Sequence, residues 1–175
     1  MTSRAIVALD DVRIGGRRIL LTPHNCFACG TLNVHGLQLD LHAGGDRCWT
    51  ELTIADRFEG WAGIAHGGIV CTILDEVMAW SLAARDAWSL TARMTVEFKR
   101  PVRIGVAIRA EGRLVAARRR LMETAARLVD ATTGELLASA EAVYVVAAAD
   151  QQLELKRRYG FASPEDASRS EGPDT

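Results

Sequence analysis

Hydrophobic residues recur along this chain at two different spacings. In GLQLDLHA (36–43), Leu37, Leu39 and Leu41 occupy alternate positions, the period of a half-buried strand. Gly44 and Gly45 then turn the chain, and CWTELTI (48–54) alternates again, so the two segments are expected to pair as a hairpin. From Gly68 to Ala84 the period lengthens. On a wheel at about 100° per residue, Ile69, Val70, Ile73, Leu74, Val77, Trp80 and Ala84 cover one broad face. This predicts a long helix whose apolar face meets a sheet. Period two then returns. Met94, Val96 and Phe98 alternate in TARMTVEFKRPV (91–102), which Pro101 closes, and VAIRAEGRLV (106–115) follows. ATTGEL (131–136) reads as a turn in which Gly134 supplies the permissive backbone, and LLASAEAVYVV (136–146) as a final strand.

One segment has two readings. LVAARRRLMETAARLVD (114–130) is rich in helix formers, and Leu114, Leu121, Met122, Ala125, Leu128 and Val129 fit a helical stripe. A strand reading needs a bend near Arg118–Arg120, and the turn at 132–134 favours it. At the ends the signals are weaker. VRIGGRRILL (12–21) has Gly-Gly between two short apolar runs, a hairpin signal, and LELKRRYGF (153–161) suits a short helix. From Ser163 the sequence is polar and aperiodic and reads as a disordered tail. The layout is two strands, one long helix, then three or four strands: α+β, an antiparallel sheet packed on a central helix. The divisions are an N-terminal extension (1–23), the main domain (24–150) and a C-terminal helix with tail (151–175).

The 175 residues suit one domain, and 49% hydrophobic with 25% charged is the usual globular mix. A formal net charge of -1 gives no global field toward nucleic acid or anionic membrane, so neither is expected as a partner. MTSRAIVALDD has no secretory apolar stretch, and no apolar run is read as a membrane span. The expected place is the cytoplasm, with the four cysteines as thiols.

The predicted helix poses a chemical question, because Asp75 and Glu76 sit in its middle. Glu76 shares the face opposite the apolar one with the small residues Thr72, Ala79 and Ala83, which suits a close subunit contact. Asp75 lies at the margin, where partial desolvation raises a carboxyl pKa unless a donor compensates. A structural ion pair would account for it equally well. At the helix start, Gly67 and Gly68 are expected to leave backbone N–H groups open at the positive end of the dipole, a site for an oxygen that becomes anionic. Asp75 lies seven residues beyond Gly68, roughly 10 Å along one helix at about 1.5 Å per residue. One chain cannot bring both to a single carbonyl, whereas two chains paired through their helices can.

His66-Gly67-Gly68 with Leu74-Asp75, together with CFACGTLNVHGLQL (26–39), EGWAGIAHGG (59–68) and TVEFKRPVRIG (95–105), resembles the hotdog-fold acyl-CoA thioesterases. The resemblance runs from about Cys26 to Val146 and is nearest to the phenylacetate-degradation and thioesterase-superfamily-member branches. It implies a long helix wrapped by an antiparallel sheet, and active sites shared between subunits of a dimer or dimer of dimers. By position, Asp75 matches the catalytic carboxylate, acting as general base or nucleophile. Gly68 matches the backbone donor to the thioester carbonyl, His66 the residue beside it, and Thr91 a hydroxyl that positions the attacking water. Gly67 and Glu59 fall among the substrate-binding positions. Lys99, Arg100 and Pro101, with Arg118 and Arg119, resemble the basic rim that meets the phosphates of coenzyme A. Two positions depart from the family pattern: Gly60 stands where some branches carry Asn, and Asn33-Val34 where Asn-Pro is usual.

The expected activity is hydrolysis of an acyl-CoA to free acid and coenzyme A, with no cofactor beyond the substrate itself. The rivals are a non-catalytic acyl-CoA sensor and enoyl-CoA hydration on the same fold; the latter needs an Asp/His pair for which no spacing is seen. Other signals carry less. Cys26-x-x-Cys29, with His24 and His35 nearby, has half the look of a zinc site, but four ligands are needed and there is no second CxxC. The plainer reading is a loop covering the helix, and no metal is expected. No βαβ pattern supports thioredoxin-like chemistry. Arg118-Arg119-Arg120 lacks a nucleic-acid motif around it. Trp61, Trp80 and Trp88 are candidates for an acyl tunnel, with Trp80 assigned to the core. Ser81 and Ser89 lack a nucleophile elbow.

Overall fold

Apolar period 3.6 on one segment and period 2 on its neighbours lead to one helix lying on one curved sheet. The computed structural model describes residues 10–14, 17–21, 23–85, 87–159 and 161–162. The elements run β1 (Asp10–Ile14), β2 (Arg17–Leu21), β3 (His42–Gly44), β4 (Arg47–Thr53), β5 (Glu59–Trp61), β6 (Ile64–Ala65), α1 (Gly67–Trp80), β7 (Ser89–Phe98), β8 (Ala107–Arg118), β9 (Leu121–Asp130), β10 (Leu136–Val146), α2 (Ala149–Tyr159) and β11 (Phe161–Ala162). The main sheet has the order β11-β2-β1-β3-β4-β8-β9-β10-β7, and β5 pairs with β6 as a separate short hairpin. The six strands from β3 to β7 in that order are antiparallel throughout. The β1–β2 hairpin follows the sequence signal but joins β3 in parallel, through Arg13 and His42. Its Gly15-Gly16 turn, the first nine residues and the polar tail from Ser163 lie outside the described residues.

The core forms where α1 meets the sheet. Val70, Ile73, Leu74, Val77 and Met78 of the helix are buried against strand residues such as Ile108, Ala110, Leu128 and Ala140. Closest approach is at Gly112 on β8: a Cβ there would stand 2.3 Å from the carbonyl oxygen of Val77. A glycine inside a strand often marks such a backbone approach. The segment Gly67–Arg85 is long and apolar enough, by length and composition, to cross a membrane, contrary to the sequence reading. The core helix of a soluble domain meets the same criterion, and here much of that apolar surface lies under the sheet.

The ambiguous segment 114–130 is strand, not helix. Arg119, at φ 54, turns the chain between β8 and β9. Met122, Thr124, Ala126 and Leu128 are buried while alternate residues are more open, so cross-strand burial overrides helix propensity. The expected strand at 36–43 is only partly one. Gln38 adopts φ 49, and Leu37 and Leu39 donate their N–H groups to the carbonyls of Phe27 and Ala28 instead of to a sheet neighbour. The ladder begins at His42, although Leu39 and Leu41 are buried as their alternation implied.

Candidate active site

Asp75 sits midway along α1, on the side facing the last two strands of the sheet. Thr91 Oγ1 donates to Asp75 Oδ1 at 3.0 Å, and the Tyr144 hydroxyl reaches the same oxygen at 2.7 Å. Tyr144 also lies 2.9 Å from the Asp75 main-chain carbonyl, so its one hydrogen is shared between side chain and helix backbone. Burial beside the Asp75 carboxylate pushes the Tyr144 phenol well above its ordinary pKa, so it remains a donor. Both donors converge on Oδ1, which leaves Oδ2 with capacity for an incoming water.

A β-bulge makes this convergence possible. On β10, Ala140, Ala142 and Tyr144 face the helix; their partners on β7 run Val96, Met94 and then Thr91. The register slips by one between Val143 and Tyr144, skipping Ala92. Without the slip, Ala92 would oppose Tyr144 and offer no hydroxyl. An inserted residue that re-aims a side chain is the known effect of a bulge. Tyr144 is the site residue that sequence reading missed. Its position on the inward face of LLASAEAVYVV was legible, but an inward tyrosine reads as core until its partner is known.

The glycine turn is arranged differently from expectation. His66 caps α1: its Nδ1 accepts from the Gly68 N–H at 3.0 Å. The Gly68 donor is therefore engaged, not open. Gly60 explains how His66 is held, since a Cβ at that position would lie 2.9 Å from the His66 Cα. Glu59 accepts from the Gly63 N–H, which tightens the β5–β6 hairpin. Beside this turn a cavity of about 370 Å³ is lined by Trp61, Ile64, Gly67, Val70, Phe98 and Pro101, among others. Trp61 is 82% exposed at its mouth, whereas Trp80 packs on the core and donates to Glu76.

The two basic groups lie apart. Lys99 and Arg100 bind the Leu137 carbonyl through their N–H groups at the start of β10, and their side chains pair with Glu97 and Glu135. Arg118 and Arg119 lie at the other end of the sheet, where neighbouring Arg120 donates to the Val146 carbonyl. The eleven residues of β10 separate them, about 33 Å at about 3.3 Å per residue. One chain cannot apply both to one phosphate group. Asp75 with Thr91 belongs to the Arg118 end, and the Gly67 cavity to the Lys99 end.

The far side of α1 also departs from expectation. Glu76, placed at a subunit contact from the helical wheel, instead meets Cys29 in the chain's own N-terminal loop. Burial raises its pKa to about 7, with the nearby Cys26 adding to the shift.

No curated protein sequence matches the chain. Residues 62–137 match the family model described as thioesterase superfamily. Among solved structures, a thioesterase superfamily protein superposes with TM-score 0.64 at 22% identity, covering 69% of this chain and 60% of that one, so this chain spans less than two thirds of that relative. Thioesterase superfamily member 2 from Mus musculus gives 0.59 at 19% identity, covering 63% and 84%. The smu.793 protein from Streptococcus mutans, solved with acetyl CoA bound, gives 0.56 at 16%, covering 59% and 82%. By its helix-in-sheet architecture this chain has the hotdog fold, and its residues 62–137 are similar to the thioesterase superfamily.

Proposed function

We propose that the chain is an acyl-CoA thioesterase that works as a homodimer or a dimer of dimers. The observation that carries this reading is Asp75 itself, a carboxylate set into an apolar helix and gripped by Thr91 and Tyr144. Asp75 acts as general base or nucleophile on the thioester carbonyl. Thr91, while donating to Asp75, keeps lone pairs with which to orient a water. Acetyl CoA bound to the smu.793 protein supports the choice of coenzyme A thioesters as the substrate class.

The pairing follows from the sheet edge. β7 is the last strand in the order, and Leu90 and Phe98 on it are 61% and 54% exposed. A long apolar edge of this kind needs a cover. If two copies of β7 pair antiparallel about its middle, Thr91 of one chain comes opposite Val96 of the other, two residues from Phe98. Phe98 touches Gly67, 3.6 Å from where a Cβ would stand. Asp75 of one chain then faces the Gly67-Gly68 turn of its partner, and the two separated basic groups meet at one site. The Gly68 N–H reaches a carbonyl oxygen only if the His66 ring releases it.

That engaged donor favours one second reading, a non-catalytic acyl-CoA binder. Steady-state release of free coenzyme A from short, long and aromatic acyl-CoAs separates the two. Turnover abolished by Asp75→Asn supports the enzyme. Saturable binding with no turnover in the native chain supports the binder, and neither binding nor turnover overturns both.

A further inference from the structure

A second cluster of reactive side chains lies on the other side of α1, outside the site described above. His24, Cys26 and Cys29 bring one donor atom each to within 4.8 Å of one another. The His24 Nε2 and Cys29 Sγ are 3.5 Å apart. The carboxylate of Glu76 lies beside the Cys29 thiol on the helix side, and its Oε1 accepts from Trp80 Nε1 at 2.9 Å.

We propose that His24, Cys26, Cys29 and Glu76 bind a divalent cation of the zinc class, and that this ion clips the N-terminal loop to α1 one residue from Asp75. The spacing suits it. Tetrahedral zinc, with Zn–S about 2.3 Å and Zn–N about 2.0–2.1 Å, holds sulfur and nitrogen about 3.6 Å apart and two sulfurs about 3.8 Å apart. The loop is shaped to converge these atoms. The N–H groups of Ala28 and Cys29 point at Cys26 Sγ. Gly30 follows in a curl so tight that a Cβ would stand 2.4 Å from both the Cys26 nitrogen and the His24 carbonyl oxygen. Tyr159 of α2 packs edge-on against the His24 ring, with centroids 5.6 Å apart, and limits its orientation. Trp80 orients the fourth donor as an outer-shell partner does.

The donor set selects the ion. Two thiolates, an imidazole and a single carboxylate suit Zn²⁺ over Mg²⁺ or Ca²⁺, which take oxygen ligands in greater number. With Glu76 drawn in beside the three converged loop donors, four protein donors close the coordination shell, which makes the role structural and not catalytic. Binding displaces the thiol protons to the buffer; no oxidant or reductant takes part. The sequence reading expected no metal because it sought a second CxxC. The remaining donor is instead Glu76, 47 residues beyond Cys29, and only the packing of the loop on the helix brings it there.

The inference stands apart from the thioester reading, and its test does not use activity. The full chain, reduced and stripped with a chelator, is titrated with Co²⁺ and then Zn²⁺. The expected result is one Co²⁺ per chain, with thiolate charge-transfer absorption and the intense visible bands of tetrahedral cobalt, all displaced by Zn²⁺. Cys26→Ser and Cys29→Ser should each remove charge-transfer intensity and weaken binding beyond the roughly 10–100-fold that loss of an orienting partner costs. His24→Ala, at a half-buried position, covers the case in which a cysteine variant fails to fold. Glu76→Gln should keep the charge-transfer band, shift the visible bands and weaken binding; unchanged bands and affinity would strike Glu76 from the set. The proposal is overturned if the folded, reduced chain takes up no stoichiometric Co²⁺ or Zn²⁺. It is equally overturned if Cys26 and Cys29 are recovered as a disulfide that reduction does not convert into a metal site, or if the His24→Ala and Cys29→Ser chains bind as well as the native one.

Discussion

Tyr144 and Thr91 are cross-strand neighbours that meet at a single oxygen of Asp75, at 2.7 and 3.0 Å. The pair fixes the carboxylate from the sheet side through Oδ1 and leaves Oδ2 with capacity for a further donor. That arrangement makes Asp75 the centre of the proposed chemistry and gives the first expected outcome. Asp75→Asn keeps the shape and volume of the side chain. Its circular dichroism and Tm should stay close to native, while kcat falls by roughly 10²–10⁴, the usual worth of a positioned general base. Unchanged turnover in the folded variant would remove Asp75 from the mechanism.

Tyr144→Phe and Thr91→Ala test the grip on the carboxylate. A hydrogen bond to a charged group is worth about 1.5–3 kcal/mol, so each variant should lose about ten-fold or more in kcat. Because both donors serve one oxygen, their effects should be coupled, and the double variant should depart from the product of the singles. A double-mutant cycle in kcat measures this. Strict additivity would mean that the two hydroxyls do separate jobs.

The shared site is tested by mixing two inactive parents. Asp75→Asn removes the base. Gly68→Pro removes the backbone donor in the first turn of α1, together with its bond to the His66 cap. In a hybrid dimer both lesions can fall in one site, which leaves the other whole. Activity should return after subunit exchange, toward half the native rate per hybrid. Hybrids that form, by mass, yet stay inactive would refute the cross-chain arrangement.

Arg100 and Arg118 lie at opposite ends of one chain but near one site in the proposed dimer. Arg100→Ala and Arg118→Ala should each raise KM for an acyl-CoA, more at low salt, because exposed charges are screened within about 10 Å at 0.1 M. Neither should change KM for a small thioester without the nucleotide. Equal effects on both substrates would assign these arginines to structure; Arg100 already pairs with Glu135.

Gly112→Ala tests the seat of the helix. Its new methyl would overlap the Val77 carbonyl, which is backbone and cannot rotate away. Overpacking of this kind costs about 1–3 kcal/mol, so thermal unfolding should move down by several degrees. An unshifted Tm would show that α1 can lift from β8 without penalty.

The sequence alone determined the helix from Gly68 onward and most strands, because apolar residues repeat at 3.6 or 2 wherever one face must be buried. It pointed to Asp75 because a carboxylate inside an apolar helix is costly unless something holds it. It did not decide residues 114–130, whose alanines, arginines and leucines suit a helix; neighbouring strands on both sides supplied the pairing that overrode propensity. Tyr144 could not be read as a site residue, since its partner is 69 positions away and Thr91 reaches the same oxygen only through a one-residue slip in β7. The engaged Gly68 N–H depended on where the β5–β6 hairpin presses His66. The meeting of Glu76 with Cys29 depended on a loop folding back over the helix. Periodicity is a local property that one face of water imposes on one segment; contacts between distant side chains are set by how the segments pack, and only the tertiary structure fixes that.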